Sequence, residues 1–279
     1  VQKDGTTTTR DGAQLQYTLH ESDKPGVPRL TLIHSLALDR SIWDGVVKEL
    51  GADADILALD ARGHGGSSKP AGPYTTKMFG DDVRDVLQSI GWEHTIVAGA
   101  SMGGSVAIQF AVSYPEMLDG LALIDTTAWY GADAPKSWHD RGQKVITDGL
   151  ASMIAFQQTR WFSDGFRTAN PKIVDHFAEV FLKSDLKAYA ATCDMLGAFD
   201  LRSEIGAIAV PTEILVGEED YATPPEMARE LHAAIPGSNL TIVEGARHLT
   251  PIQIPDRVAA IIRAVIAKAQ KGDGVANRG

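Results

Sequence analysis

The stretch that decides the fold reads Thr95-Ile96-Val97-Ala98-Gly99-Ala100-Ser101-Met102-Gly103-Gly104-Ser105-Val106-Ala107-Ile108-Gln109-Phe110. Its first four residues form a short apolar run of strand type, and its last six read as a buried helix. Between them lies G-x-S-x-G. A chain passing from strand to helix there must turn sharply. Glycine on both sides of the serine removes the Cβ atoms that would clash, and the serine is forced into a strained position above the sheet. The helix N-terminus behind it favours developing negative charge. Taken alone, the pentapeptide also occurs in ordinary glycine-rich loops. Between a strand and a helix it marks Ser101 as the expected nucleophile.

Further short apolar runs lie on both sides of this stretch. They are Leu30-Thr31-Leu32-Ile33, Ile56-Leu57-Ala58-Leu59, Leu121-Ala122-Leu123-Ile124, Glu213-Ile214-Leu215-Val216 and Leu240-Thr241-Ile242-Val243. Most are apolar throughout rather than alternating, the pattern of parallel strands covered on both faces. Val83, Val86, Leu87 and Ile90 fall at i, i+3, i+4 and i+7, and Val258, Ile261, Ile262, Val265 and Ile266 continue in the same way near the end. Each set is one apolar helical stripe facing a sheet. Asp11-Gly12, between segments 6–9 and 15–20, signals a hairpin that opens the sheet. The expected class is therefore α/β, a mostly parallel, doubly wound sheet.

The alternation stops between residues 129 and 206. That stretch is helix-like and rich in aromatics, and its nine Lys/Arg against ten Asp/Glu leave it with little of the chain's negative charge. It reads as a helical cap inserted into a core formed by 1–128 and 207–270. The Gly-rich, polar residues 271–279 read as a disordered tail.

With 279 residues, 44% of them hydrophobic, the chain can bury one large core. A formal net charge of −10 argues against a nucleic-acid partner. No apolar stretch reaches the roughly 20 residues of a spanning helix, so no membrane partner is expected. The single cysteine, Cys193, excludes an internal disulfide and a cysteine-built zinc site, and it reads as a small buried apolar residue. The polar start Val1-Gln2-Lys3-Asp4-Gly5 does not read as a signal peptide, and the absent initiator Met implies a segment removed ahead of Val1. A reducing, cytoplasmic compartment fits this cysteine usage.

A serine hydroxyl needs a base to take its proton. His248, in Gly245-Ala246-Arg247-His248, follows a strand and precedes the last helix, which puts it at the carboxyl edge of the sheet with Ser101. His34, at the end of another strand, is a weaker rival. The base in turn needs a carboxylate. Asp220, in Val216-Gly217-Glu218-Glu219-Asp220-Tyr221, occupies a loop between strand and helix. Glu218, Glu219 and Asp125 are rivals for the role. The chain order is then Ser, acid, His. The oxyanion donors should be the backbone N–H of Met102, directly after the nucleophile, and that of Leu36, in the loop after the first central strand. No metal and no organic cofactor is required.

Together these residues resemble the α/β-hydrolase superfamily over nearly the whole chain. Asp60-Ala61-Arg62-Gly63-His64-Gly65-Gly66-Ser67 looks like that superfamily's D-x-R-G-x-G-x-S turn, where the segment is structural, so His64 is not counted as catalytic. Within the superfamily the chain is most similar to 3-oxoadipate enol-lactonases. The resembling pieces are Ser35-Leu36, the segment 98–104, Arg160-Trp161-Phe162, the segment 189–193 and Asp200-Leu201-Arg202. It departs from them at His34, where they carry a small polar residue, and at Ala37, where they carry glycine. Residues 125–129 are only partly similar.

The resemblance implies an acyl-enzyme serine hydrolase acting on a small-molecule lactone or ester, with a place in aromatic-compound breakdown. Arg160 and Trp161 are then candidate substrate contacts, since a planar guanidinium suits a carboxylate-bearing substrate. The bland alternative for this pair is packing and surface. Carbon–carbon bond hydrolases, cofactor-free perhydrolases and non-enzymatic ligand receptors share the same constellation and remain alternatives. A dehalogenase or an epoxide hydrolase would carry a carboxylate in place of Ser101.

Overall fold

The computed structural model describes residues 1–276. Eight strands form one sheet in the order β1-β2-β4-β3-β5-β6-β7-β8. They are β1 Gln2–Thr8, β2 Gln14–His20, β3 Arg29–Ile33, β4 Asp55–Leu59, β5 Thr95–Ala100, β6 Leu118–Ile124, β7 Thr212–Gly217 and β8 Asn239–Val243. Strands β3 to β8 run parallel, and β2 is antiparallel to both β1 and β4. Every residue of β5 and β7 is buried, as the continuous apolar runs require.

The opening hairpin forms at the expected place but with longer strands than the apolar pattern marked. Gln2 pairs with His20 and Thr8 with Gln14, so polar residues ahead of position 6 also join the ladder. The turn between them spans residues 9–13, with Gly12 at φ 89. An edge hairpin exposed on one face carries little apolar signal at its ends.

Helices α1 Asp44–Leu50, α2 Thr76–Ser89 and α3 Met102–Ser113 follow β3, β4 and β5. The Thr75 side chain caps α2 by accepting from the Met78 N–H. The stripe Val83, Val86 and Leu87 is buried, and α2 and α3 pack together. Helix α11, Pro255–Ala276, packs with α1 and lies across β6 and β7. Its Val258, Ile262 and Val265 are fully buried. The tail expected from residue 271 begins inside this helix, and residues 277–279 lie outside the described residues.

Between β6 and β7 the chain builds a helical cap from α4 Ala134–Asp148, α5 Ile154–Trp161, α6 Asp164–Ala169, α7 Pro171–Leu182 and α8 Leu186–Gly197. The two ends of the insertion meet in a bridge between Trp129 and Asp200. After β7 come α9, Pro225–Ala234, and, following β8, the short α10, Thr250–Gln253. Cys193 on α8 is fully buried, which pushes its thiol up to about 12. No helix of the described residues is long and apolar enough to cross a membrane.

Register lines up the carboxyl ends of the central strands. Ile33 is level with Gly99, Ala100 with Ile124, Ile124 with Leu215, and Gly217 with Val243. The loops leaving this one edge carry Leu36, Ser101, Asp125, Asp220 and His248.

Candidate active site

Ser101 directly follows β5 and caps α3 with φ 55 and ψ −117, a conformation that non-glycine residues adopt rarely. The surroundings hold it there. Its N–H donates to the Ile124 carbonyl at 2.9 Å, and its own carbonyl accepts from the N–H groups of Gly104 and Ser105 at 2.9 and 3.1 Å. A Cβ on Gly99 would stand 2.1 Å from the Gly103 carbonyl oxygen, and one on Gly103 would stand 2.1 Å from the Ile33 oxygen. Both flanking glycines are therefore required by close backbone approach.

The serine hydroxyl lies 2.8 Å from His248 Nε2, and His248 Nδ1 lies 2.7 Å from Asp220 Oδ2. Because the carboxylate only accepts, Nδ1 carries the proton and donates to it, leaving Nε2 to accept from the Ser101 hydroxyl. Asp220 is held by further donors. The N–H groups of Ala222 and Thr223 reach Oδ1 at 2.7 and 3.0 Å, and the Thr223 hydroxyl reaches Oδ2 at 2.9 Å. Ser101 is 8%, His248 5% and Asp220 2% exposed, so the line of bonds sits largely out of water.

The rivals are placed elsewhere. Glu219 pairs with Arg247. Asp125 binds Thr250 and Gly217 instead of His248. His34 is buried with both nitrogens engaged, donating from Nδ1 to the Ser35 carbonyl at 2.7 Å and accepting the Ala61 N–H at Nε2 at 3.0 Å. It shapes the loop that carries Leu36. His64 is buried and donates from Nδ1 to the Arg62 carbonyl at 2.9 Å.

Leu36 lines the pocket above Ser101. Met102 opens α3, where a backbone N–H has no intrahelical acceptor. Neither N–H has a hydrogen-bond acceptor among the described residues. Ala37 follows Leu36 at φ 58, and its carbonyl accepts from the Ser184 hydroxyl of the cap at 3.0 Å.

The pocket is a narrow cavity of about 20 Å³. Arg160 and Trp161 line it together with Ser101 and His248, as do Tyr130, Trp138, Arg141 and Gln157. Sequence reasoning missed these last four. Gln157, Arg160 and Trp161 stand at i, i+3 and i+4 on α5, a spacing that could have exposed a shared face. Trp138 and Arg141 repeat the i, i+3 spacing on α4. Arg160 lies over the Phe156 ring at 5.6 Å and has no hydrogen bond or ion pair among the described residues. Desolvation, with the neighbouring Arg141 charge adding, lowers its pKa to about 10, so it stays cationic at neutral pH. Arg141 donates from Nε to the Tyr189 hydroxyl at 2.7 Å. The described residues contain no cluster of three His, Cys, Asp or Glu side chains able to hold a metal ion.

Residues 28–253 match the family profile described as alpha/beta hydrolase fold. The chain belongs to that family. Among similar proteins, 3-oxoadipate enol-lactonase 2 of Acinetobacter baylyi is 28% identical over 263 residues, covering 94% of this chain and 96% of that protein. The enol-lactonase structure from Burkholderia xenovorans LB400 superposes with a TM-score of 0.89 at 29% identity, covering 94% of this chain and 100% of that one. A thermophilic esterase from Thermogutta terrifontis, solved with malate bound, gives a TM-score of 0.88 at 27% identity and covers 96% and 99% of the two chains. In this alpha/beta hydrolase the strand edge, the elbow and the cap-covered pocket all coincide at Ser101.

Proposed function

We propose that the chain is a serine hydrolase that cleaves small, carboxylate-bearing lactones or esters through an acyl-enzyme. Ser101 Oγ attacks the carbonyl carbon while His248 Nε2 takes its proton, and Asp220 steadies the imidazolium that forms. The N–H groups of Leu36 and Met102 receive the developing oxyanion. His248 then passes its proton to the leaving oxygen. In a lactone that oxygen remains tethered to the acyl group. Water, deprotonated by His248, attacks the ester on Ser101 and releases the acid and the free serine. No step calls for a metal or a cofactor. In this reading 129–206 act as the substrate-reading cap on a core of 1–128 and 207–270.

The observation that carries the substrate class is the Arg160 guanidinium. It faces the pocket of Ser101 and His248 without an anionic partner among the described residues. Arg141 is the second cation there, and Trp161 supplies an apolar wall, its ring edge-on to Phe181 at 5.5 Å. A substrate carboxylate would give Arg160 its missing partner. The likeness to the two enol-lactonases and to the malate-bound esterase supports this choice, malate being itself a dicarboxylate.

The test is Arg160→Ala assayed on an anionic enol-lactone and on neutral p-nitrophenyl acetate. A lost charge-assisted bond of about 1.5–3 kcal/mol should raise KM for the anionic lactone by roughly 10- to 150-fold. KM for the neutral ester should stay near that of the wild type. Equal effects on both substrates would remove the anion-binding role.

A further inference from the structure

The two residues that follow β6 take no part in the chemistry above, yet they touch the three loops that carry Ser101, Asp220 and His248. The Thr126 hydroxyl donates to the Ser101 carbonyl at 2.8 Å. Asp125 Oδ1 accepts the N–H of Gly217, three residues before Asp220, at 3.2 Å. Asp125 Oδ2 accepts the N–H and the hydroxyl of Thr250, two residues after His248, at 3.0 and 2.6 Å. Asp125 and Thr250 are fully buried, and Thr126 is nearly so.

The backbone also marks the position. Asp125 stands at φ 48, in the left-handed region that glycine favours. Its N–H donates to the Leu215 carbonyl at 2.9 Å, so pairing between β6 and β7 continues one residue past β6 and pins the side chain at its root. Burial, reinforced by the nearby charge of Asp220, pushes Asp125 well above the usual carboxylate range. An acid at so unfavourable a place is explained by the donors it gathers from two loops.

We propose that Asp125 is a positioning residue for the reaction, fixing the Asp220 and His248 loops against each other while Thr126 fixes the Ser101 elbow. The proposal rests on the hydrolytic reading above. The Asp220 and His248 loops are also joined by the Glu219 N–H, which donates to the Ala246 carbonyl at 2.9 Å, and by Arg247, which reaches Glu219 at 3.3 Å. The bonds between Ser101, His248 and Asp220 themselves must change during turnover. Asp125 supplies links that stay in place while the proton moves.

The experiment compares Asp125→Asn, Thr250→Val and Thr250→Ser. The asparagine keeps the shape but sets an NH2 group against the donors of Thr250 or Gly217. The valine removes only the Thr250 hydroxyl, and the serine keeps it. Turnover of p-nitrophenyl acetate is normalised to active sites titrated to completion with a fluorophosphonate, and Tm is measured alongside. Displacements of a fraction of an ångström in the triad should lower kcat per labelled site by about 10- to 100-fold, with KM little changed. Thr250→Ser should restore most of the loss. A purely structural role would lower Tm and the labelled fraction while leaving kcat per labelled site at the wild-type value, and that result overturns the proposal. If Asp125→Asn does not fold, the Thr250 pair decides. A wild type that neither labels nor turns over would instead refute the hydrolytic reading, so the two failures are told apart.

Discussion

His64 sits in a conspicuous motif, yet the fold uses it as a neutral ring. It is buried, its Nδ1–H serves the Arg62 carbonyl, and its ring lies 5.1 Å from that of His34. Desolvation pulls its pKa from the ordinary 6.5 down to about 3. The sign of the pH effect follows from this. Between those two values the unfolded chain binds a proton that the folded chain refuses. The stability from keeping this ring neutral is therefore fully present above pH 6.5 and is lost as pH falls toward 3. The expected slope is about 1.4 kcal/mol per pH unit for this one group. Urea denaturation of wild type and His64→Asn should show their stability gap narrowing from about pH 7 to about pH 4.5. A gap constant with pH would contradict it. Ala37 shows what a sequence can flag without explaining. The resemblance implies a glycine at its place, and the structure supplies the reason for one, since the residue stands at φ 58 beside the proposed donor Leu36.

At the scale of elements, the elbow is where backbone packing leaves least room. A side chain on Gly103 would press on the Ile33 carbonyl of the neighbouring strand, and neither backbone can yield without shifting β3 or α3. Gly103→Ala should cost about 3 kcal/mol or more by thermal denaturation. Gly165→Ala, in α6 with nothing within 4 Å of the new methyl, should instead add about 0.4–1 kcal/mol. Equal effects would contradict the packing argument. The same physics decided what was legible. Strands β3 to β7 are covered by helices and neighbouring strands, so burial shows as apolar runs, and the loops at their ends could be matched to chemistry. The ends of β1 and β2 lack that signal because the polar Gln2, Lys3 and Asp4 are exposed. Tyr130, Trp138, Arg141 and Gln157 were not legible as site residues, because only the way the cap helices fold over the sheet brings them to Ser101. The helical periodicity of α4 and α5 marks faces without saying which face meets a pocket.

In the whole molecule, the proposed reacting groups come from loops far apart along the chain, and Arg247 is among the side chains that bind the cap to them. Arg247, next to His248, donates to the carbonyls of Thr159 and Phe162 at 2.9 and 3.2 Å, and it reaches Glu219, next to Asp220, at 3.3 Å. The Leu249 N–H donates to the Trp161 carbonyl at 3.0 Å. The cap segment that presents Arg160 and Trp161 is thus joined to the base loop on both sides of His248. Only the complete fold places His248 against Ser101, so in the proposed reaction no local stretch activates the serine. The most direct measurement is fluorophosphonate labelling, read by intact mass and peptide mapping, on the native chain, on the urea-unfolded chain, on Ser101→Ala and on His248→Ala. One label per native chain, located on Ser101, is the predicted result. It should be absent from the unfolded chain and from Ser101→Ala, and slowed by about 1000-fold or more in His248→Ala. Labelling that persists in Ser101→Ala, or that maps to another residue, would contradict the assignment of Ser101 as the nucleophile.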